Sequence, residues 1–524
     1  NRVINGIIDK VYYKAFDSFG MADNSVFQTF RSQNAIKYID GTLRSGYVFM
    51  LSKMVEKQGE EIANAKNIKH EIGGIPISTL VQVHNPGTAV GVLRLNKDPL
   101  TLTSGDIAVF DEMPGESAPV AGIISVGVGA RLSHLQLLAK SLKIPNVQVE
   151  RNLLSELKRL EGELVSLTVT NEGLLKIEKI DSESRVAQGT SKKKVKIPFP
   201  NHEISTPISF ADYKDPKSGS YAGPKGITLA KMFQSKNFGN HVLDGVILPF
   251  GFFDKYAEKT GIRNLLESLA KVNLKNRYLV GTITNLIQNR ISQNPIPEEM
   301  MDEVFRSVEA LKKRIGEESG FFFRSDTNIE DLPEFNGAGL NDSIPNVSMD
   351  RDRMNRAIRD VWLSPLSEKS IYWRGQALGR ATVTIAEPSV VIMPTVKAKS
   401  SGVLLTKGGK DWVPGLGSLS ANFGIGSVVQ SERPVEEYTF ESGTPHRLSL
   451  STTSKMPVVN LSGGLTYSAV KAGSVVLTYE QSQALNNFGQ KVESYLGSEP
   501  HGWDIEWAFD QNDVLVILQA RPNM

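Results

Sequence analysis

The stretch Arg324-Ser325-Asp326-Thr327-Asn328-Ile329-Glu330-Asp331-Leu332, followed by Gly337-Ala338-Gly339-Leu340-Asn341-Asp342-Ser343-Ile344, decides how this chain is read. An arginine leaves the apolar run Phe321-Phe322-Phe323 and meets small hydroxyl and amide side chains, then acids, then a glycine pair. Arginine offers a rigid fork of donors that suits phosphate oxygens. Glycines let backbone N–H groups come close to an anion. The plain alternative is a strand ending in an Asx-type turn with a surface ion pair. Three further segments favour the phosphate.

The first lies at the far end of the sequence. Asp504-Ile505-Glu506-Trp507-Ala508 and Leu518-Gln519-Ala520-Arg521-Pro522 read as paired strands. Residues two apart on a strand share a face. Asp504 and Glu506 therefore point together, as do Gln519 and Arg521. Two convergent carboxylates suit Mg²⁺, and the arginine neutralises phosphate. The second segment, Gly223-Pro224-Lys225-Gly226-Ile227-Thr228-Leu229, is a glycine turn opening a helix with a lysine in its first turn. That arrangement suits a phosphate contact.

The third is Gly129-Ala130-Arg131-Leu132-Ser133-His134, which enters a helix expected over residues 133–142. Ser133 is an N-cap candidate. His134 then falls in the first helical turn, near free N–H groups and the positive end of the macrodipole. Neutral imidazole is nucleophilic near pH 7, so it can accept a phosphoryl group and pass it on. A capping or core histidine is the competing reading.

Taken together these segments resemble the dikinase superfamily. Its members include pyruvate phosphate dikinase, phosphoenolpyruvate synthase, rifampin phosphotransferase and the glucan and phosphoglucan water dikinases. Pro119-Val120-Ala121-Gly122-Ile123-Ile124, Leu132-Ser133-His134 and Ile144-Pro145-Asn146 are similar to the family's phosphohistidine domain. The resemblance implies that His134 is catalytic, carrying phosphate as a phosphohistidine. It implies that Lys225, Arg324, Asp331, Gln519 and Arg521 bind ATP, and that Asp504 and Glu506 bind Mg²⁺. Ala421-Asn422-Phe423-Gly424-Ile425-Gly426 resembles the family's glycine strand, with Ser427 where glutamate is usual. Val390-Val391-Ile392-Met393-Pro394-Thr395 occupies the adenine-hinge region, where Met393-Pro394 departs from the family pattern and removes a donor.

The wording of the Arg324 segment, the Leu-Ser-His run and the order of segments look most like the glucan-phosphorylating branch. The implied reaction takes ATP, an α-glucan and water to AMP, phosphoglucan and orthophosphate, the β-phosphate passing through His134. A histidine-mediated phosphotransferase with an antibiotic or metabolite as acceptor is the alternative. A non-catalytic nucleotide sensor is a third reading.

The fold expected is multidomain, α/β and α+β. Residues 1–69 read as a helical N-terminal region. Residues 70–180 read as a swivelling phosphohistidine β/β/α domain. Residues 181–200, polar and lysine-rich, read as a flexible linker. Residues 201–524 read as an ATP-grasp type nucleotide-binding domain whose two subdomains divide near 390. The 524 residues fit several domains, with 40% hydrophobic and 22% charged content ordinary for a globular protein. A net charge of +2 gives no reason to expect nucleic acid or a membrane as partner. The absence of cysteine excludes disulfides and thiolate chemistry. The chain opens on Asn1 without a signal-like segment, which reads as a fragment of an intracellular protein of cytoplasm or plastid.

Overall fold

A computed structural model describes residues 10–12, 47–49, 81–114, 117–126, 134–170, 173–180, 196–235, 237–316, 320–332, 337, 340–407, 417–426, 435–471 and 473–523. Ser133, Ser427 and residues 181–195 of the expected linker lie outside them. Of residues 1–69, two segments are described, Lys10–Tyr12 and Tyr47–Phe49. They pair as parallel strands where the spacing predicted helix. Both triplets are rich in aromatic and β-branched side chains, and that local preference for a pleated surface overrides the helical spacing.

Residues 82–179 build a seven-stranded sheet. Its centre is parallel, running through Gly87–Leu95, Asp106–Phe110, Gly122–Ser125 and Asn146–Gln148. Antiparallel strands close both sides. The central strand Asp106–Phe110 is buried throughout because both faces of the sheet are covered. Ile107 and Val109 join one apolar cluster with Leu93, Ile124, Val147 and Val165. Ala108 and Phe110 point the other way, into a cluster with Leu135, Leu138 and Ala139 of the helix His134–Ser141. The two-residue period of the strand thus assigns each face its own core.

From residue 208 onward there are two larger antiparallel sheets. The first has five strands, in the order Ile208–Ser209, Val246–Leu248, Pro388–Pro394, Phe321–Thr327 and Ser343–Val347. The second has six, with Ala398–Leu405 between Gly417–Phe423 and Trp503–Asp510, and Leu515–Pro522 at one edge. Phe321, Phe323, Val390 and Ile392 face a layer of helices that includes Phe250–Lys259, Glu298–Ile315 and Arg351–Leu363. Ile247, Val391 and Met393 face the opposite way. There they meet the helix Pro224–Gln234 through Leu229, Ala230 and Met232, and then Leu404, Ile505, Trp507 and Ile517 of the second sheet. The Lys225 helix is therefore a spacer between two sheets. Each fully buried Leu, Ile or Phe in these layers contributes about 1.5–3 kcal/mol relative to exposure.

Candidate functional site

The strand that begins Phe321-Phe322-Phe323 does not turn at Arg324. It runs on to Thr327, hydrogen-bonded along its length to Pro388–Pro394. Arg324, Ser325, Asp326 and Thr327 are all buried. A run of such polar residues is sheltered from water only when its groups are paired. The pairing explains the site.

Arg324 reaches from the first sheet to the second. Its Nη1 donates to the carbonyl of Leu518, and its Nη2 donates to Glu506 Oε2 at 2.8 Å and Gln519 Oε1 at 3.2 Å. The strands Trp503–Asp510 and Leu515–Pro522 pair with Asp504 opposite Arg521 and Glu506 opposite Gln519. Arg521 donates to Asp504 Oδ2 at 2.9 Å through Nε and to Asp331 Oδ1 at 3.2 Å through Nη1. Gln519 Nε2 donates to Asp331 Oδ2 at 3.3 Å. Asp331 holds these two from the left-handed region, φ 57°, where aspartate is tolerated better than most residues.

Lys225 enters from the helix Pro224–Gln234, which has Gly223 at its N-cap and Pro224 in its first turn. Its ammonium lies 2.5 Å from the carbonyl of Ser325 and 3.1 Å from Glu330 Oε1. The backbone N–H groups that the glycine turn was expected to offer an anion are already taken. Lys225 N donates to Asp326 Oδ1 at 3.1 Å and Gly226 N to Asp326 Oδ2 at 3.2 Å. A buried carboxylate is the cap of this helix, and Ser389 Oγ donates to the same carboxylate at 3.0 Å. Gly223 is required because a Cβ there would stand 2.2 Å from Asp326 Oδ1 and 2.5 Å from the Thr327 carbonyl.

Lys225, Arg324, Asp331, Asp504, Glu506, Gln519 and Arg521 thus form one continuous polar network across two sheets and a helix. Asp326 and Glu330 belong to it and were not singled out from the sequence, although both lie in the quoted stretch. His134 is the first residue of the helix His134–Ser141. The cluster packed by Leu135, Leu138 and Ala139 also contains Ile329, Leu332, Trp373 and Ala386. Ile329 and Leu332 flank Glu330-Asp331 in sequence. The Trp373 indole N–H donates to the Ser117 carbonyl at 2.7 Å, across the same contact.

The charges do not balance. Asp326, Glu330, Asp331, Asp504 and Glu506 are five carboxylates beside three cations, Lys225, Arg324 and Arg521, a formal charge of −2. The carboxyls of Glu330 and Asp504 are pushed up by burial, against the pull of Lys225 and Arg521 respectively. Asp326 is pushed up to about 7, by burial first, opposed by Lys225 and reinforced by Glu330. Burial thus favours the protonated carboxyls, which offset part of the excess negative charge. A divalent cation would do the same, and open acceptors await it: Asp504 Oδ1 and Glu330 Oε2 are buried without a hydrogen bond. Among the described residues no group of three or more His or acidic side chains could hold a metal. Mg²⁺ commonly takes only one or two carboxylates and completes its shell with water and substrate phosphate.

A pH dependence follows. An unfolded aspartate titrates near 3.8, well below Asp326 in the fold. Between those values the folded protein holds a proton that the unfolded chain lacks. Stability from this group is fully present below about pH 4 and is lost as pH rises through about 7. Denaturant unfolding of the nucleotide-free protein should show a higher midpoint at pH 6 than at pH 8. Asp326→Asn should shrink that difference, and an unchanged difference in the variant would remove Asp326 as its source.

Arg374 is a further residue the sequence reading missed. It lies on the helix Glu368–Leu378, 2% exposed, and its Nε donates to the Thr384 carbonyl at 3.3 Å. Its Nη2 is buried without a hydrogen bond, and burial pulls its pKa down to about 9. A cation kept in that state is suited to an anion. The only sequence signal was an arginine directly after the apolar run Ile371-Tyr372-Trp373.

Residues 219–524 match the family described as pyruvate phosphate dikinase, AMP/ATP-binding domain. The chain belongs to that family. The matched region contains every member of the polar network and both large sheets apart from the edge strand Ile208–Ser209. Among curated relatives, the protein named probable phosphoenolpyruvate synthase from Methanothermobacter thermautotrophicus is 25% identical over 62% of this chain and 48% of its own length. The rifampicin phosphotransferase of a Streptomyces species is 28% identical over 53% of this chain and 32% of its own. The phosphoenolpyruvate synthase of Pyrococcus furiosus is 26% identical over 49% and 32%. The chain thus spans a third to a half of the curated relatives it matches. None of these three is a glucan-phosphorylating enzyme by name. No helix among the described residues is long and apolar enough to cross a membrane.

Proposed function

We propose that this chain forms the nucleotide-binding and phosphohistidine portion of an ATP-dependent dikinase-type phosphotransferase. The reading is carried by one observation. The helix that His134 opens shares an apolar cluster with Ile329 and Leu332, which bracket two acids of the polar network. In this reading residues 70–180 are the swivelling carrier, 181–200 the linker and 201–524 the ATP-grasp nucleotide domain, divided near 390.

Arg324, Arg521 and Lys225 neutralise the triphosphate, while Asp331 orients Arg521 and Gln519. Asp504 and Glu506 are the residues that would hold Mg²⁺, which when bound offsets the charge of the phosphates. An imidazole nitrogen of His134 attacks the β-phosphorus, and the bond to the α-phosphate oxygen breaks so that AMP leaves. The γ-phosphate passes to water as orthophosphate. The acceptor hydroxyl then takes the phosphoryl group from His134, losing its proton.

The acceptor reading from sequence motifs is an α-glucan. Similarity to rifampicin phosphotransferases supports a small hydroxylated molecule instead. Phosphorus NMR of reactions with ATP, Mg²⁺ and either glycogen or a rifamycin separates them. AMP, orthophosphate and a new phosphomonoester should appear together with one acceptor. Binding of ATP with no AMP formed under any acceptor would instead support a nucleotide sensor.

A further inference from the structure

The contact between the seven-stranded sheet and the nucleotide-binding region leaves a cavity of about 450 Å³. That is the size of a small-ligand site. Thr103, Ser104 and Pro119 line it from the first region, and Lys275, Arg277 and Tyr372 from the second. Among the described residues no carboxylate lines it. The nearest acid with an influence on Tyr372 is Glu368, which packs toward Gly281 and is outside the lining.

The cations are arranged rather than scattered. The Arg277 guanidinium stands 4.6 Å above the Tyr372 ring centroid, which holds its fork in place. Arg277 is also the first residue of the helix Arg277–Gln293, so the positive end of that macrodipole adds to the two side-chain charges. The Tyr372 hydroxyl is buried, and the Arg277 side chain is its partner. Ser104 brings a hydroxyl from the opposite wall, beside Thr103, whose own hydroxyl donates to Asp106 Oδ2 at 2.7 Å.

We propose that this seam binds a small phosphomonoester carrying hydroxyl groups, with Lys275 and Arg277 on the phosphate, Tyr372 holding Arg277 in place, and Ser104 on the remainder. Its walls come from both regions, so the ligand binds the docked arrangement in preference to any other. By linkage it holds the helix of His134 against the nucleotide-binding region. The site is separate from the polar network around Arg324 and does not depend on the reaction proposed for it.

The test is calorimetric titration of the full chain with glycerol 3-phosphate, the nucleotide site first saturated with a non-hydrolysable ATP analogue. Nucleotide binding is read in its own titration, so its failure is distinguishable from failure of the seam. Saturable one-to-one binding is expected, weakened about tenfold or more by Arg277→Glu and much less by Arg277→Lys. Ser104→Ala should weaken it several-fold from the other wall. No saturation by about 10 mM, or binding unchanged in Arg277→Glu, would overturn the site. Binding lost in Arg277→Glu but untouched by Ser104→Ala would overturn the bridging role.

Discussion

Arg521→Met should lower the stability of the nucleotide-binding region by about 3–5 kcal/mol, the usual cost of removing one partner from a buried ion pair. Arg521 is 3% exposed and lies between Asp504 and Asp331, both buried. Those carboxylates raise its affinity for its proton against the opposing effect of burial. Without the guanidinium, two carboxylates sit together in a shielded site and must take up protons to survive there. Gln519 then loses the orientation that Asp331 shares between it and Arg521. Guanidinium unfolding monitored by tryptophan emission reads the loss directly. Adding Asp504→Asn to Arg521→Met should recover part of it, because the double variant removes a charge that the single one strands. A single variant within about 0.5 kcal/mol of the parent would mean that the network is not buried as described.

The second large effect concerns the docking of the two regions. Trp373 is fully buried and donates its indole N–H to the Ser117 carbonyl. It belongs to the cluster joining Ile329 and Leu332 to Leu135 and Leu138. Trp373→Ala should cost about 3–5 kcal/mol in that cluster. Its functional mark is a split. Phosphorylation of His134 should fall steeply while nucleotide affinity stays within a few-fold, because the indole's hydrogen bond and apolar cluster belong to the contact with the helix of His134. Trp373→Phe keeps most of the volume and loses only the hydrogen bond, so it should cost about 1 kcal/mol. Equal losses of nucleotide affinity and phosphorylation in Trp373→Ala would place the residue in the nucleotide site instead.

Much of the site was legible because strand geometry is simple. Asp504 and Glu506, and across from them Gln519 and Arg521, followed from the period of two. The register that sets Asp504 opposite Arg521 then decided which charges meet. The apolar runs of the seven-stranded sheet were equally plain, since Asp106–Phe110 and Gly122–Ser125 are buried on both faces. What was not legible depends on distant partners. That the strand continues through Arg324 to Thr327 was not legible, because arginine, serine and aspartate have little intrinsic strand preference. The Pro388–Pro394 strand and the Lys225 helix supply the missing partners from elsewhere in the chain. For the same reason the glycine turn at Gly223 read as an anion cradle. Its anion is Asp326, 101 residues from Lys225, and no local pattern announces that. Arg374 escaped notice because a single arginine in an apolar helix usually snorkels to water, and here burial prevents it.

The central claim is that the β-phosphate of ATP reaches His134. The most direct measurement incubates the chain with Mg²⁺ and ATP labelled at either the β- or the γ-phosphate, then isolates the protein. The account predicts acid-labile label from β-labelled ATP alone, absent in His134→Ala while that variant still binds nucleotide. Label from the γ position, or β label that persists in His134→Ala, would contradict it.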